Sequence, residues 1–288
     1  MASDIDPAGV TTSLASAAQA SACLAMLPEA LGSDGPLFLA CHEGRFAGAA
    51  ALAWRSWRDP AGFALSLRVA PPFRRTGVGR SLVAAAVQTV RGESEGLWSP
   101  HPLSADSAEA AFLAACGFAP LRRELHFAAT ISNLQANIAP LAARLRRSGS
   151  EGARWVPLED AWLEAAAWLI SRNLAGGPVT ALQDLKRRQA DPADRSELAL
   201  VGGSLAAAIL WRIHKGEAVI DARVVAEPWR GGALGLDMLD RQMRRVLDLG
   251  PTAMRFHCDE DVTDTVALAR RSQARLMEVR AHYYLTVT

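Results

Sequence analysis

Two glycines and three arginines lie where an apolar stretch meets a helical one, and residues of these types can hold a phosphate. The segment reads Arg74-Arg75-Thr76-Gly77-Val78-Gly79-Arg80. The first amides of a helix have no acceptor within the helix, and the helix dipole adds positive potential there. Glycines keep the backbone open to an anion, and the arginines supply countercharge. We therefore predict a phosphate-binding loop here.

Two common phosphate motifs do not fit this loop. The dinucleotide fingerprint needs three glycines and an acidic residue about 20 positions further on, and the P-loop needs Gly-Lys followed by Ser or Thr. Neither pattern occurs at 74–81. The loop therefore indicates neither a dinucleotide site nor a P-loop nucleotide site.

The loop pattern returns once in the second half of the chain. Residues 225–235 align with residues 69–79 at a shift of 156 and share a Pro, an Arg and the last Gly of the loop. Upstream, Ala-Ala-Leu-Ala-Trp-Arg at 50–55 matches Ala-Ala-Ile-Leu-Trp-Arg at 207–212. A repeat of this length predicts two copies of one unit. The chain of 288 residues fits two domains of about 150 residues each.

Charge and hydropathy exclude several classes of partner. The net charge is +1 with both signs spread over both halves, so no basic face is available for nucleic acid. The acidic start lacks the basic residues of a secretory signal, and no apolar run approaches the ~20 residues that span a bilayer. We expect a cytoplasmic protein with no nucleic acid or membrane partner. The oligomeric state stays open.

The cysteines carry no metal or disulfide pattern. They are widely scattered, without a Cys-x-x-Cys pair: Cys23, Cys41, Cys116 and Cys258. A zinc site or a disulfide framework would need closer spacing. We expect four reduced core residues and no bound metal.

Hydrophobic periodicity predicts one order of elements twice. In the first half we predict helices over 11–27, 78–91 and 106–115, and strands over 37–42, 46–54, 62–69, 96–98 and 121–128. In the second half we predict helices over 158–173, 179–189, 233–248 and 262–272, and strands over 197–201, 204–213, 217–225, 252–258 and 276–287. An amphipathic connecting helix and linker over 132–150 would separate domains at 1–131 and 151–288.

The loop and the element order resemble the GNAT family of N-acyltransferases. The family's CoA motif, Arg or Gln, two residues, Gly, one residue, then Gly or Ala, fits the loop from Arg74 to Gly79, and Gly117-Phe118 resembles the pair that ends its fourth helix. The resemblance is strong over 37–127 and weaker over 151–288. It implies an α/β (α+β) fold of two tandem GNAT-like domains, each a mixed, mostly antiparallel sheet flanked by helices.

The resemblance also implies acetyl-CoA, or a related acyl-CoA, as co-substrate. Amides of the loop would hold its pyrophosphate, the main chain of Val69 would pair with the pantetheine arm, and the Leu67 amide, at a strand bulge, would stabilise the oxyanion. The implied cofactor-binding residues are Leu67, Val69, Arg74, Arg75, Thr76, Gly77, Val78, Gly79, Arg80 and Ser81.

Acid and base residues in the first half stay open. The family often places a tyrosine five residues before the Gly-Phe phenylalanine, and here that position is Leu113. The first half contains no tyrosine. His101 either acts through water or is a loop residue, and Glu124 and His126 on the last strand carry the same two alternatives.

The second copy has lost part of the loop and gained ionisable residues. Ala233 replaces the first glycine, and two arginines are missing, so we expect little or no CoA affinity there. Asp221 on an apolar strand is either paired with an arginine or functional. Tyr283 and Tyr284 alternate faces of the last strand, which predicts one in the core and one on the surface; the alternative is that one of them has a catalytic role.

We predict an acyl-CoA-dependent N-acetyltransferase that acts on a primary amine of a small molecule or peptide. The first domain binds the acyl-CoA, and the second completes the acceptor cleft or stabilises the first. Two alternatives stay open: a non-catalytic acyl-CoA-binding regulatory protein, which the missing tyrosine favours, and a mainly structural pair whose second domain is an interaction module. Trp57 could line an acceptor pocket.

Overall fold

The chain folds into two compact units. The computed structural model describes residues 9–30, 35–55, 60–147, 153–173 and 178–288, so Trp57 lies outside the described residues. Unit 1 contains the residues up to Leu121 together with Ala281–Thr288, and unit 2 is Arg122–Arg280. Unit 1 thus includes the end of the last strand, and unit 2 includes most of the strand that precedes the connecting helix. The predicted domain boundaries stay a prediction, and part of the linker, 148–150, is not described.

The first half of the chain builds a sheet, with one described α-helix before the glycine loop in the sequence and two after it. In chain order its elements are β1 (Val10–Leu14), α1 (Ala17–Met26), β2 (Leu37–His42), β3 (Arg45–Arg55), β4 (Gly62–Val69), α2 (Val78–Val90), β5 (Gly96–Trp98), β6 (Leu103–Ser104), α3 (Ala108–Ala115) and β7 (Ala119–Thr130).

The second half repeats this plan after a connecting helix. Its elements are α4 (Ile131–Arg147), β8 (Arg154–Pro157), α5 (Asp160–Ser171), α6 (Pro178–Ala190), β9 (Glu197–Val201), β10 (Ser204–His214), β11 (Glu217–Val225), α7 (Ala233–Leu249), β12 (Ala253–Asp259), α8 (Thr263–Arg271) and β13 (Arg275–Thr286). The short strands β6 and β8 were not predicted.

The helix predicted over 11–27 is wrong at its start. Residues Val10–Leu14 form β1, which pairs antiparallel with β2. The run Val-Thr-Thr is β-branched, and such residues favour a strand. The helix begins only after Ser16, whose amide donates to Gln19 Oε1 at 3.0 Å, as in a capping box.

Both units have a mixed, mostly antiparallel sheet, as predicted. In unit 1, β1 to β4 pair antiparallel in sequence order, β4 pairs parallel with β5, and β5 pairs antiparallel with the end of β13. In unit 2, β8 to β11 pair antiparallel, β11 pairs parallel with β12, and β12 pairs antiparallel with β7.

Each parallel pair is short, so the sheet opens beyond it. Strand β4 pairs with β5 only at Phe63↔Leu97 and Ala64↔Trp98. Strand β11 pairs with β12 only through Ala218 and Val219. The later residues of β4 and β11 therefore present backbone groups with no ladder partner from β5 or β12. The glycine loop follows directly after each open stretch.

Helix α2 is held by its apolar face. Val78, Leu82, Ala86 and Val90 recur at helical spacing, and all four are buried in the core of unit 1. Full burial of one such side chain contributes about 2 kcal/mol. This packing fixes where the helix begins, and so fixes the glycine loop.

The expectation that all four cysteines are core residues differs from the structure. Only Cys23 is fully buried, whereas Cys41, Cys116 and Cys258 are half-buried, although all four thiols are free. Within the residues that the structure describes, no helix is long and apolar enough to cross a membrane.

Candidate functional site

The unit 1 loop turns sharply into α2 at a glycine. Gly77 has φ +94° and ψ −14°, a left-handed conformation that favours glycine. Arg75, two residues earlier, also has a positive φ of 65°. The Ser81 amide donates to the Gly77 carbonyl at 3.0 Å, which closes the first turn. The amides at 78–80 precede that bond, so they are the helix-start donors that can receive an anion.

Side chains of the loop brace it against the strand rather than reaching over it. Thr76 Oγ1 donates to the Phe73 carbonyl at 2.7 Å, and Arg74 Nε lies 3.4 Å from the Val69 carbonyl. The Ser81 hydroxyl is 2.7 Å from that of Thr12 on β1. Thr76 and Ser81 therefore support the loop, and the backbone is left to bind.

Gly79 has a packing role as well. A Cβ atom on Gly79 would lie 3.0 Å from the Phe112 ring of α3 and 3.7 Å from the Val69 side chain. The glycine thus lets α2 approach α3 closely. It also leaves the second amide of the helix uncovered by a side chain.

The open edge of β4 presents Leu67 and Val69. The Ala70 amide donates to the Ala47 carbonyl on β3 at 2.9 Å. Because hydrogen bonds alternate along an antiparallel ladder, the backbone groups of Leu67 and Val69 face away from β3. They face the side where β5 has already separated. Their main-chain groups are accessible to an extended ligand.

The bulge expected at Leu67 is wrong. Leu67 pairs with Ala50 in an unbroken β3–β4 register. The register shift occurs instead in the second copy, where Leu210 pairs with Ala222 and Trp211 pairs with Ile220, so that Asp221 is the extra residue. A bulge re-aims the backbone of the residue that it inserts.

Two positions of unit 1 were considered for proton transfer, and one is exposed while the other is buried. His101 is exposed in the loop after β5. Leu113, at the position expected for a tyrosine, is buried in the core. Leu113 therefore contributes apolar packing and no acid.

The two tyrosines are both buried, so the prediction of one surface tyrosine is wrong. Tyr283 lies in the main core of unit 1. Its backbone amide donates a hydrogen bond to Ser99 Oγ at 3.0 Å. Tyr284 packs on Trp98 with ring centroids 4.8 Å apart. Burial raises the pKa of Tyr284. Both faces of this strand end are covered, and that is why alternation did not expose one ring.

The unit 2 loop shares part of the geometry of the first, but its helix begins one aligned residue earlier, after Gly232 at φ −90° and without a left-handed residue at the position of Gly77. Gly231 has φ 72°, like Arg75 in unit 1, and α7 begins at Ala233. Arg230 Nε donates to the Val225 carbonyl at 3.0 Å, and its Nη2 donates to the Asn173 side chain. The arginine common to both copies is thus tied to the strand in each.

A cavity of about 1100 Å³ lies beside the unit 2 loop. Its walls are the loop, the open ends of β11 and β12, and apolar side chains of α4 and α7. Polar lining residues include Glu124, Arg172, Arg223, His257 and Asp264. The cavity is large enough for a small-molecule ligand.

Asp221 is ion-paired, which was one of the two predicted alternatives. Its carboxylate lies 3.0 Å from Arg188 Nη1 and 3.4 Å from Arg212 Nη2. Arg188 is itself only 12% exposed and also contacts Asp194 at 3.2 Å. The Asp221 carboxylate therefore anchors the bulge, and its main-chain carbonyl turns towards β12.

Sequence reasoning missed His257. Its Nε2 donates to the Asp221 carbonyl at 3.1 Å, and its ring lies edge-on to His126 at 5.2 Å between centroids. Glu124 Oε1 lies 2.7 Å from His126 Nε2. Burial lowers the pKa of His257. The only signal in the sequence is the spacing of Glu124 and His126 on one strand face, since the register that brings in His257 is not visible there.

A family model described as the acetyltransferase (GNAT) family matches residues 14–118. None of the curated proteins matches the chain. Among solved structures, a tandem GNAT protein from the clavulanic acid biosynthesis pathway is 18% identical, with 97% of this chain and 99% of that chain covered and a TM-score of 0.52.

Two further solved structures, both of GCN5-related N-acetyltransferases, are also similar in fold. A GCN5-related N-acetyltransferase from Anabaena variabilis is 12% identical, with 97% and 73% of the two chains covered and a TM-score of 0.64. One from Kribbella flavida is 11% identical, with 96% and 72% covered and a TM-score of 0.61. At these identities the likeness is one of fold, and the predicted fold of two tandem GNAT-like domains is confirmed.

Proposed function

We propose that this protein is an acyl-CoA-dependent N-acetyltransferase, because residues 14–118 match the family model of the GNAT acetyltransferases. It transfers an acetyl group from acetyl-CoA to a primary amine of a small molecule or peptide. The observation that carries the proposal is the unit 1 loop, where left-handed Gly77 directs helix-start amides beside the open edge of β4.

In this proposal the CoA pyrophosphate lies on the amides from Arg75 to Arg80, with Arg74 close by. Arg74 Nε lies 3.4 Å from the Val69 carbonyl, and this contact keeps the guanidinium charge beside the start of the loop. Amide donors and guanidinium groups together form charge-assisted hydrogen bonds to phosphate. Ser81 supports the turn from below through Thr12.

The pantetheine arm extends along β4. Its amides pair with the outward backbone groups of Val69 and Leu67, as an added strand would. The Leu67 amide then donates to the thioester carbonyl and stabilises the oxyanion as it forms. The ordinary ladder at Leu67 supplies this donor without a bulge.

The chemical step is direct acyl transfer. The neutral amine nitrogen attacks the thioester carbon, a C–N bond forms, and the C–S bond breaks. The nitrogen loses one proton and the CoA thiolate gains one, so the products are the acetylated amine and free CoA. We assign no phenol of unit 1 to this step, because Leu113 stands at the position where the family often has a tyrosine and because Tyr283 and Tyr284 are both buried.

One observation favours a second candidate, a non-catalytic acyl-CoA-binding protein. Leu113 is buried where the family often places its acid. The experiment that separates the two measures free thiol released from acetyl-CoA across a pooled amine library, after calorimetry has established binding. Binding with amine-dependent release supports the enzyme, and binding without release for any amine supports the second candidate.

A further inference from the structure

Three ligand-type side chains converge on one face of the β7–β12 pair in unit 2. His126 and His257 are directly opposite each other in the antiparallel register. Glu124 is two residues before His126 and so lies on the same face. One ligand atom from each lies within 4.8 Å of the others. The cluster is independent of the glycine loops and of the proposed acyl transfer.

The two histidines face the same carboxylate oxygen. Glu124 Oε1 is 2.7 Å from His126 Nε2 and 3.9 Å from His257 Nδ1. Ligand atoms around a tetrahedral zinc ion at 2.0–2.1 Å are about 3.3 Å apart. Opening the shorter distance and closing the longer one by about 0.6 Å each would bring both nitrogens to that spacing from Glu124 Oε1.

The backbone fixes the tautomer of His257 for such a role. Its Nε2 donates to the Asp221 carbonyl at 3.1 Å, so the ring proton is on Nε2 and the Nδ1 lone pair is directed to the Glu124 side. Metal-binding histidines generally donate their other ring N–H to a carbonyl or carboxylate in this way. The carbonyl is in turn held by the bulge at Asp221 and the ion pair of its carboxylate with Arg188 at 3.0 Å.

The surroundings suit a ligand site rather than a closed structural one. Glu124 and His257 both line the unit 2 cavity. Their side chains are 15% and 33% exposed, so the cluster is accessible but shielded. Three protein ligands leave a fourth position open towards the cavity, as in catalytic zinc sites.

We propose that Glu124, His126 and His257 bind one divalent transition-metal ion, Zn²⁺, at the inner end of the unit 2 cavity. The prediction of no metal was based on the spacing of the cysteines, and it does not apply to this site because none of the three ligands is a cysteine. Its donors are imidazole nitrogens and a carboxylate oxygen, a set suited to zinc. The cleft of the second copy then carries a metal site in addition to its own glycine loop.

The test titrates the full-length protein with Zn²⁺ by calorimetry and with Co²⁺ by visible absorption, after treatment with a chelator. Three variants remove one ligand each: Glu124→Gln, His126→Gln and His257→Gln. The matched control is His101→Gln, because His101 holds the position of His257 under the 156-residue repeat and is exposed.

We expect one Zn²⁺ per chain and a Co²⁺ spectrum of nitrogen and oxygen ligation in the wild type and in His101→Gln. Each ligand variant should weaken Zn²⁺ binding by at least tenfold, and Zn²⁺ should raise the melting temperature of the wild type but not of Glu124→Gln. Absence of saturable Zn²⁺ binding by the wild type, or an affinity in the three variants equal to that of the wild type, overturns the proposal. None of these measurements depends on acyl transfer, so failure of the metal proposal leaves the proposed function untouched.

Discussion

The loop that carries the proposed function can be tested by adding a charge at Gly77. The structure places Gly77 at φ +94°, directly before the first helical amides. A carboxylate in Gly77→Glu would lie about 6 Å from one phosphate charge, and at an effective dielectric of about 40 their repulsion is about 1.4 kcal/mol. That is about a tenfold loss of acetyl-CoA affinity. A second phosphate charge would increase both the repulsion and the loss of affinity.

Strain must be separated from charge in this test. A side chain in the left-handed region costs about 1–2 kcal/mol of folding stability. Gly77→Gln carries the same bulk and the same strain without the charge, so the Glu and Gln variants should melt alike and differ about tenfold in Kd measured by calorimetry. Ala233→Glu places the same charge at the matching position of the second loop and should leave the affinity unchanged. Equal affinity of folded Gly77→Glu and wild type would refute the reasoning.

Further predictions concern stoichiometry, acid groups and thiol reactivity. Calorimetry should find one acetyl-CoA per chain, because the second loop lacks two of the arginines; two sites of similar affinity would contradict this. Tyr283→Phe and Tyr284→Phe should keep thiol release, and the rate should rise with pH as the amine loses its proton, without a fall near ~10; loss of release in either folded variant would assign that phenol a catalytic role. Burial raises the pKa of Cys116 above its ordinary 9.0, so less of it is thiolate at a given pH. Its alkylation, followed by peptide mass spectrometry, should therefore reach half its maximum rate above pH 9.0; a midpoint below that value would count against the burial argument.

Strands with clear ends were predicted to the residue. The bounds of 37–42, 62–69, 96–98, 197–201 and 217–225 match the structure, because apolar alternation stops at glycine and turn residues there. The start of α1 was not predicted, because an Ala-rich helical pattern extended across Val10–Leu14, where pairing with β2 decides the conformation.

The site was predictable where it depends on residue type and not where it depends on register. Glycine at position 77 indicates the turn by itself, and the structure gives it a positive φ. The bulge at Asp221 and the approach of His257 to Glu124 depend on how β10, β11, β12 and β7 pair, which no local pattern encodes. The prediction for Tyr284 failed for a related reason, because Trp98 covers the second face of the strand.

The measurement that tests the central claim most directly is amine-dependent release of free CoA from acetyl-CoA by the full-length protein, with the acetylated amine identified by mass spectrometry. We predict release that saturates in both substrates, needs about tenfold more acetyl-CoA in Gly77→Glu and is unchanged in Ala233→Glu. Tight acetyl-CoA binding with no release across the amine library would contradict enzymatic acyl transfer, and release lost in Ala233→Glu but kept in Gly77→Glu would contradict the assignment of the site to unit 1.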